Sequence, residues 1–552
     1  MKFIHRFGAI FLIIAATFVV YAPALRNGFV WDDTALVLRD PLVRSWRLIP
    51  EGFGHFLFID ATGSNFYRPL QRLTFTADYA AWGFGNPGGW HFTSIAIHAA
   101  AAVALYALLR RLFGKDRWPV TAAIVWAVHP LHTSAVTYVA GRADLLAALF
   151  GFTGLWLALS ENKRAHILAA LCFLGAMLSK ESGSMFLVIA GVVLAWRRAP
   201  WVRWSVLLVA VLSIYGTLRF TAHKTPPPQP RPSPLYARPA LIARAASEYA
   251  GLIIAPVTLR MERDVRPGPA PLLLGVLLVA GGLWWCRRAD SDTRLALTAA
   301  TVAYLPISNL LPLNATVAEH WLYVPGAFLA TAAALSLRRL PRAPVCIVLA
   351  AWTTLLAVRT WTRQADWRDQ RTFLTRTIAT GGDSARMRVN LGNLEASKGR
   401  HETALAEYAI ALEHRPDLSF AHLGVAAAQI NLGHFADARA ALDRTAGLEA
   451  EKLQLRAALD FAEKNIDPVP SYRAAADLSP LNWPLRRRAI TALAQSGRLP
   501  DAIRELHTFL ASQDFRADSW LLLADLLTQA GQPKLADAAH AEAHRCDVRL
   551  AR

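Results

Sequence analysis

The chain has 552 residues, 54% of them hydrophobic, and its 59 Lys and Arg against 40 Asp and Glu leave a formal charge of +19. Clusters of that Arg lie in short gaps between apolar runs, where membrane topology already requires them, so nucleic acid is not expected as a partner. Four cysteines, Cys172, Cys286, Cys346 and Cys546, supply neither a disulfide framework nor a Cys-based metal site.

Taken in chain order, apolar runs near the length of a membrane crossing fall at Phe7–Leu25, Phe92–Leu112, Pro119–Tyr138, Ala143–Leu159, His166–Leu178, Ser184–Trp196, Ser205–Phe220, Pro271–Trp285, Leu295–Leu311, Tyr323–Leu337 and Ala343–Val358. Lys2/Arg6, Arg110/Arg111/Lys115/Arg117, Lys163/Arg164, Arg197/Arg198/Arg203, Arg287/Arg288/Arg294 and Arg338/Arg339/Arg342 occupy every second gap, which places those gaps on the cytoplasmic side. Ala22-Pro23-Ala24 resembles a signal cleavage site, but Pro between the alanines makes a poor one. The parity of later gaps works only if the first helix stays, as a retained anchor.

The outward gaps collect Trp31-Asp32-Asp33, His129-Pro130-Leu131-His132, Gly141-Arg142-Ala143-Asp144, Ser179-Lys180-Glu181-Ser182 and Glu319-His320-Trp321. Any one of these could be a capping or snorkelling residue. Five such clusters on one face point to a shared polar site, because ionisable groups at the ends of apolar segments line wet cavities or pair with one another. Residues 26–90 form a long outer loop, in which Trp46–Phe58 and Leu70–Trp82 are expected as interfacial helices. Thr225–Pro234 is polyproline, expected as a stiff spacer. The run Leu241–Leu259 would reverse all later parity if it crossed, so it is expected to be re-entrant or interfacial. Asn314-Ala315-Thr316 fits a glycosylation sequon but is crowded against the membrane and is expected to be structural.

After Val358 a repeat appears. Leu391-Gly392, Gly399, Ala404, Tyr408, Ala411 and Pro416 have the offsets of a tetratricopeptide unit. Further copies follow at Gly433/Ala438/Leu442, at Tyr472/Ala476/Pro480, at Gly497/Ala502/Leu506 and at Gly531/Ala536, the one at Tyr472 irregular. The expected fold is all-α: a multi-span membrane bundle over residues 1–360, a linker over 361–389, and a repeat solenoid over 390–552 on the outer side.

Gly28-Phe29-Val30-Trp31-Asp32-Asp33, Tyr67-Arg68-Pro69-Leu70, His91…His98, Val128–Val136, Gly141–Leu146, Lys180-Glu181, Pro306–Leu310, Ala318–Pro325 and Asp366-Trp367 occur in this order ahead of the repeats. Together they resemble the transmembrane and tetratricopeptide repeat-containing O-mannosyltransferases and their bacterial relatives. Two positions depart from the animal pattern: Ser134 replaces Glu, and His320 replaces Arg. The resemblance implies a multi-span glycosyltransferase of the C-type fold, using a polyprenyl-phosphate sugar on the outer face of the membrane, here the cytoplasmic membrane of a bacterium.

The residues suit such chemistry. A carboxylate is needed to take the proton of an acceptor hydroxyl, and Asp32 and Asp33 are the candidates. Cations must steady the leaving phosphate, for which Arg142, Lys180, Arg68 and His320 are the candidates. Asp144 and Glu181 are expected to orient those cations, with His129, His132 and Glu319 as supporting residues. His129 and His132 lie three apart and could meet a divalent metal, although Pro130 between them favours packing or hydrogen bonding. A lipid or sugar transporter and a non-catalytic scaffold remain as alternatives, and neither the sugar nor the acceptor class is readable, although an outward solenoid favours a polypeptide acceptor.

Overall fold

The computed structural model describes residues 2–60, 64–114, 116–198, 201–224, 235–263, 265, 268–313 and 315–550. The polyproline stretch and Asn314 of the sequon lie outside the described residues. The described residues are helical and carry no β-strand beyond an isolated bridge between His55 and His223. They divide into two units: Met1–Leu38, Phe53–Leu57 and Gly63–Gln370 form the first, and Arg39–Gly52, Phe58–Thr62 and Arg371–Arg552 the second.

Helices of eight residues or more in the first unit are α1 (Lys2–Tyr21), α2 (Pro69–Trp82), α3 (Pro87–Phe113), α4 (Trp118–Ala127), α5 (Arg142–Ala158), α6 (Lys163–Ser179), α7 (Met185–Trp196), α8 (Trp201–Thr221), α9 (Arg238–Ile254), α10 (Pro269–Arg288), α11 (Ser291–Tyr304), α12 (Tyr323–Ser336) and α13 (Arg342–Arg363). Every expected crossing contains a helix, and among the described residues six stretches are long and apolar enough to span a membrane, or seven if one bent pair counts as a span. The expected crossing at Pro119–Tyr138 is broken. There α4 stops at Ala127, short turns follow over Pro130–Val136, and the chain turns through 98° on its way to the helix ending at Ala158. Pro130 has no N–H to continue a helix, and His129 caps the next turn by accepting from Leu131 N. The multi-pass character stands on the long apolar helices that remain.

The gaps sort to two ends of the bundle as their charge pattern requires. At the cationic end, Arg338 pairs with Asp116 (3.2 Å) and Asp292 (3.5 Å), and Arg339 with Asp290 (3.1 Å). Arg197 donates to Arg111 O (3.0 Å), and Arg111 to Leu159 O (2.8 Å). Gaps that lie far apart in sequence therefore meet. Between the ends, small residues allow close helix contact: a Cβ on Gly275 of α10 would fall 1.8 Å from Ala243 O of α9. Helix α9 overlaps the run expected to be re-entrant or interfacial and is not among the stretches fit to span.

The second unit begins with α14 (Gln370–Thr377), whose first residue closes the first unit, and continues as five helix pairs: α15/α16 (Ala385–Ser397, His401–His414), α17/α18 (Ser419–Leu432, Phe435–Asp443), α19/α20 (Glu449–Lys464, Val469–Leu478), α21/α22 (Trp483–Gln495, Leu499–Leu510) and α23/α24 (Ala517–Gln529, Pro533–Cys546). The first pair starts inside the expected linker, at Ala385, where Ser384 caps it by accepting from Met387 N. Gly399, Gly433, Gly497 and Gly531 turn the chain inside four pairs with φ of 71–79°. The irregular third pair makes the same turn with Asn465 at φ 53°. Tyr408 lies between Gly392 and Gly424, where any Cβ would come within 2.6 Å of its ring.

The segment Arg39–Gly52 corrects an expectation. Trp46–Phe58 is not an interfacial helix on a leaflet, because Leu42 and Leu48 are buried against Phe515, Ala517 and Cys546 of the last pair. Ser45 Oγ donates to Arg545 O (2.9 Å), Val548 N to Arg44 O (3.1 Å), and Arg516 is paired with Asp60. A solenoid needs its terminal apolar face covered, and here part of the cover comes from the loop after the first helix. In Leu70–Trp82, α2 buries Phe75 beside Trp90 of α3 and Tyr79 against Phe84.

Candidate functional site

The loop after α1 is held at several points. Asn27 Nδ2 donates to Gln364 O (2.9 Å), Gly28 N to Arg368 O (2.8 Å), and Trp31 N to Gln370 Oε1 (2.6 Å). Trp31 takes a left-handed conformation at φ 55°, uncommon for a bulky residue and tolerated only where the surroundings enforce it.

The two aspartates that follow divide their tasks. Asp33 is buried, and its carboxylate accepts from Val30 N (3.1 Å) and Ala140 N (2.7 Å), so it fastens the loop to the turn before α5. Burial pushes its carboxyl up to about 7, against the downward pull of those amides, and the charge of Asp32 adds to the rise. Asp32 is half-buried, with its backbone N–H on Tyr138 Oη (3.2 Å) and its carboxylate in hydrogen-bond reach of the same hydroxyl. Of the pair, Asp32 is the less buried.

Ala140 also accepts from Gln71 Nε2 of α2 (2.6 Å). Four residues on, in the first turn of α5, Asp144 accepts from Lys180 Nζ (2.6 Å). Beside them Arg68 forks onto Glu181 Oε2 through Nε (3.0 Å) and Nη2 (2.8 Å), while Tyr67 N donates to Glu181 Oε1 (3.0 Å). His320 lies within electrostatic reach of Lys180, Asp144 and Arg68, and its Nδ1 is buried without a partner. Burial lowers the Lys180 ammonium, and Asp144 opposes that shift. The structure thus brings together Arg68, Asp144, Lys180, Glu181 and His320, all from gaps expected to share a face.

Other candidates are placed elsewhere. Arg142 is fully buried: it pairs with Asp78 (2.6 Å) and donates to Trp90 O (2.9 Å), Ser94 Oγ (3.2 Å) and Thr74 (3.3 Å). With its donors spent on protein, it braces α2 against α3 and α5 and is withdrawn as a phosphate ligand. Glu319 is buried between Arg363 (2.8 Å) and Arg263 (3.4 Å) and accepts from Arg260 N (2.5 Å), which ties the segment after α9 to the end of α13. His129 uses Nε2 on Ile253 O (3.0 Å) and Nδ1 on Leu131 N (3.2 Å), leaving no lone pair for an ion. His132 lies among Trp126, Tyr323 and His98. Among the described residues no group of three His, Cys, Asp or Glu side chains is set to hold a metal.

Sequence reasoning missed Tyr138, Gln71, Asp78 and Arg219. Tyr138 and Arg219 fell within expected spans, and Gln71 and Asp78 within the expected interfacial helix, so none stood out as polar groups near a site. Arg219, near the end of α8, lies 4.0 Å from Glu181.

Fold and site together define a polytopic helical membrane protein with a cationic polar cluster at one end of its bundle and a tetratricopeptide-type solenoid. No protein-family model matches the chain. It is similar to protein O-mannosyl-transferases of animals: F38B6.6 of Caenorhabditis elegans is 25% identical over 73% of this chain and 62% of its own length. TMTC4 of Mus musculus is 27% identical over 70% and 64%, and TMTC3 of Homo sapiens 23% over 97% and 64%. The chain thus spans about three-fifths of the length of these relatives. Among solved structures, ArnT from Cupriavidus metallidurans bound to undecaprenyl phosphate aligns over 86% of this chain and 80% of its own at 14% identity, with a TM-score of 0.35. The tetratricopeptide protein YrrB aligns over 32% and 93% at 19% identity, with a TM-score of 0.22. At such scores the fold rests on the helices themselves.

Proposed function

We propose that the protein is a membrane glycosyltransferase that moves a hexose, mannose by analogy with its relatives, from a polyprenyl phosphate to a hydroxyl of a polypeptide. The observation that carries the reading is that one stretch of chain, Tyr138–Asp144, holds the carboxylate of Asp32 at Tyr138 and, at Asp144, the cation Lys180, with Arg68 and the imidazole of His320 within its electrostatic reach. Asp32 takes the hydroxyl proton as the acceptor oxygen bonds to the anomeric carbon. The bond from that carbon to the phosphate oxygen breaks, and its electron pair leaves with the polyprenyl phosphate. Lys180 and Arg68 face the charge that gathers on this leaving group, with the imidazole of His320 beside them, and fixed cations in a partly dry site stabilise it more than water would. Glu181 and Asp144 hold the two cations in place beforehand, so little reorganisation is needed.

The outer side of a bacterial cytoplasmic membrane is the favoured location. The cationic gaps meet at one end of the bundle and the site lies among the others, which suits a site facing away from the cytoplasm. The loop after the first span is built into the repeat unit, which supports the same side for the repeats. A solenoid there would hold a polypeptide near the site and raise its local concentration.

The test is transfer by the full-length protein in nanodiscs, from a polyprenyl-phosphate mannose to an extended Ser/Thr-containing polypeptide. Asp32→Asn is expected to lower turnover by about 100-fold with unchanged melting. Unchanged turnover in this variant would remove the aspartate from the chemistry, and no transfer by the wild type to any polypeptide offered would favour a scaffold.

A further inference from the structure

The cation cluster extends past the residues assigned above toward the lipid. Helix α8 is apolar and only 11% of its candidate span is buried, so it faces the bilayer along most of its length. Near its end Arg219 donates to Tyr215 Oη (3.3 Å) and to Asn65 O (3.1 Å), and lies 5.1 Å over the Phe56 ring and 4.0 Å from Glu181. The next residue, Phe220, is 89% exposed. An arginine beside a lipid-facing phenylalanine at the margin of a span is costly unless it has a partner or a task; the hydrogen-bond partners of Arg219 are neutral oxygens, and the carboxylate at 4.0 Å is already engaged by Nε and Nη2 of Arg68.

Exposure falls along this row from 26% for Arg219 to 14% for Arg68 and 12% for Lys180. Glu181 links the first two, and Arg68 lies within electrostatic reach of Lys180. A lipid-linked donor carries an anion on a chain that cannot leave the hydrocarbon, so it must come to Lys180 sideways, along the bilayer margin. The row of cations, graded from the lipid edge inward, follows that path.

We propose that Arg219 is a phosphate-binding residue at a lateral entry beside α8, where it receives the phosphate of a polyprenyl-phosphate donor before Arg68 and Lys180 do. Arg219 offers the planar fork suited to a phosphate, and Tyr215 steadies it through its hydroxyl. The inference rests on the donor reading above.

The experiment measures binding of a polyprenyl phosphate to the full-length protein in phosphatidylcholine nanodiscs, with the matching polyprenyl alcohol and inorganic phosphate as comparison probes. Arg219→Gln is expected to weaken polyprenyl phosphate about 10-fold, the scale of one charge-assisted contact, and to leave the alcohol unchanged. Arg219→Lys should recover part of the loss, which a purely structural defect would not allow. Normal polyprenyl phosphate binding in Arg219→Gln with loss in Lys180→Met would overturn the proposal and leave the donor reading standing. Normal binding in both would overturn the two together. If inorganic phosphate binds and loses the same factor in Arg219→Gln, the site takes a free anion and lateral entry is refuted.

Discussion

Removing Asp60 should loosen the repeat unit although Asp60 lies far from the repeats in sequence. Its partner Arg516 has a side chain 2% exposed, and Asp60 is 23% exposed. Arg516 Nε donates to Gln513 Oε1 (3.0 Å), so Asp60 supplies its carboxylate. Breaking a buried ion pair by deleting one partner costs about 3–5 kcal/mol, because the other charge stays in a dry place. Asp60 has some access to water, so the lower end, about 3 kcal/mol, applies. For a unit of roughly 200 residues each kcal/mol moves the melting temperature by about 2–4 °C, which gives a fall of about 6–12 °C in Asp60→Ala.

The assay is melting of the full-length protein in detergent, with limited proteolysis to locate new cuts within residues 371–552. Asp60→Ala/Arg516→Met should recover most of the loss, since no buried charge is left alone. Asp417→Ala is the control: its pair with Arg415, at 3.8 Å and largely exposed, should contribute next to nothing. Melting and digestion of Asp60→Ala like those of the wild type would refute the claim that the first loop completes the solenoid.

Asp33 should show itself through pH. Its carboxyl is raised to about 7 from the ordinary 3.8, so the folded state holds the proton more tightly than the unfolded chain. The stability it adds is therefore complete below about pH 4 and is lost as pH rises through about 7. Asp33→Asn, neutral throughout, should flatten the melting temperature between those limits, and an unchanged slope would show that Asp33 does not titrate there. Arg142→Lys should lower melting and leave the affinity for polyprenyl phosphate as it was, since one ammonium cannot replace contacts to Asp78, Trp90, Ser94 and Thr74. A selective loss of donor affinity at normal melting would restore Arg142 as a ligand.

Charge and hydropathy made the two ends of the bundle legible, because Arg in alternate gaps is a property of the sequence alone. That Arg338 meets Asp116 and Asp292, and Arg197 meets the end of α3, follows once those gaps share an end. The repeats were legible for a comparable reason: a left-handed turn needs Gly, and Gly399, Gly433, Gly497 and Gly531 mark theirs openly. Asn465, the next most tolerant residue, hides the turn of the third pair.

Burial was not legible, and it decides which charged residues can act. Arg142 and Lys180 are alike as motif residues, each near an acid in an outward gap. They differ because Asp78, fifteen residues before Thr93 in a helix read as interfacial, arrives at the first and not at the second. Adjacent residues in a tight turn cannot both point the same way. Asp33 hooks the turn to Ala140 and is buried, while Asp32 stays half-buried against Tyr138, and no count of carboxylates in the sequence could have said which would be which. The same holds for the loop after α1: an amphipathic segment needs an apolar partner, and the membrane and the exposed end of a solenoid are chemically equivalent partners at the level of sequence. Only the fit of Leu42 and Leu48 against Phe515 and Cys546 separates them. That fit also carries topology, since a loop built into the repeat unit requires an even number of crossings between the two, whatever the number of full-length spans.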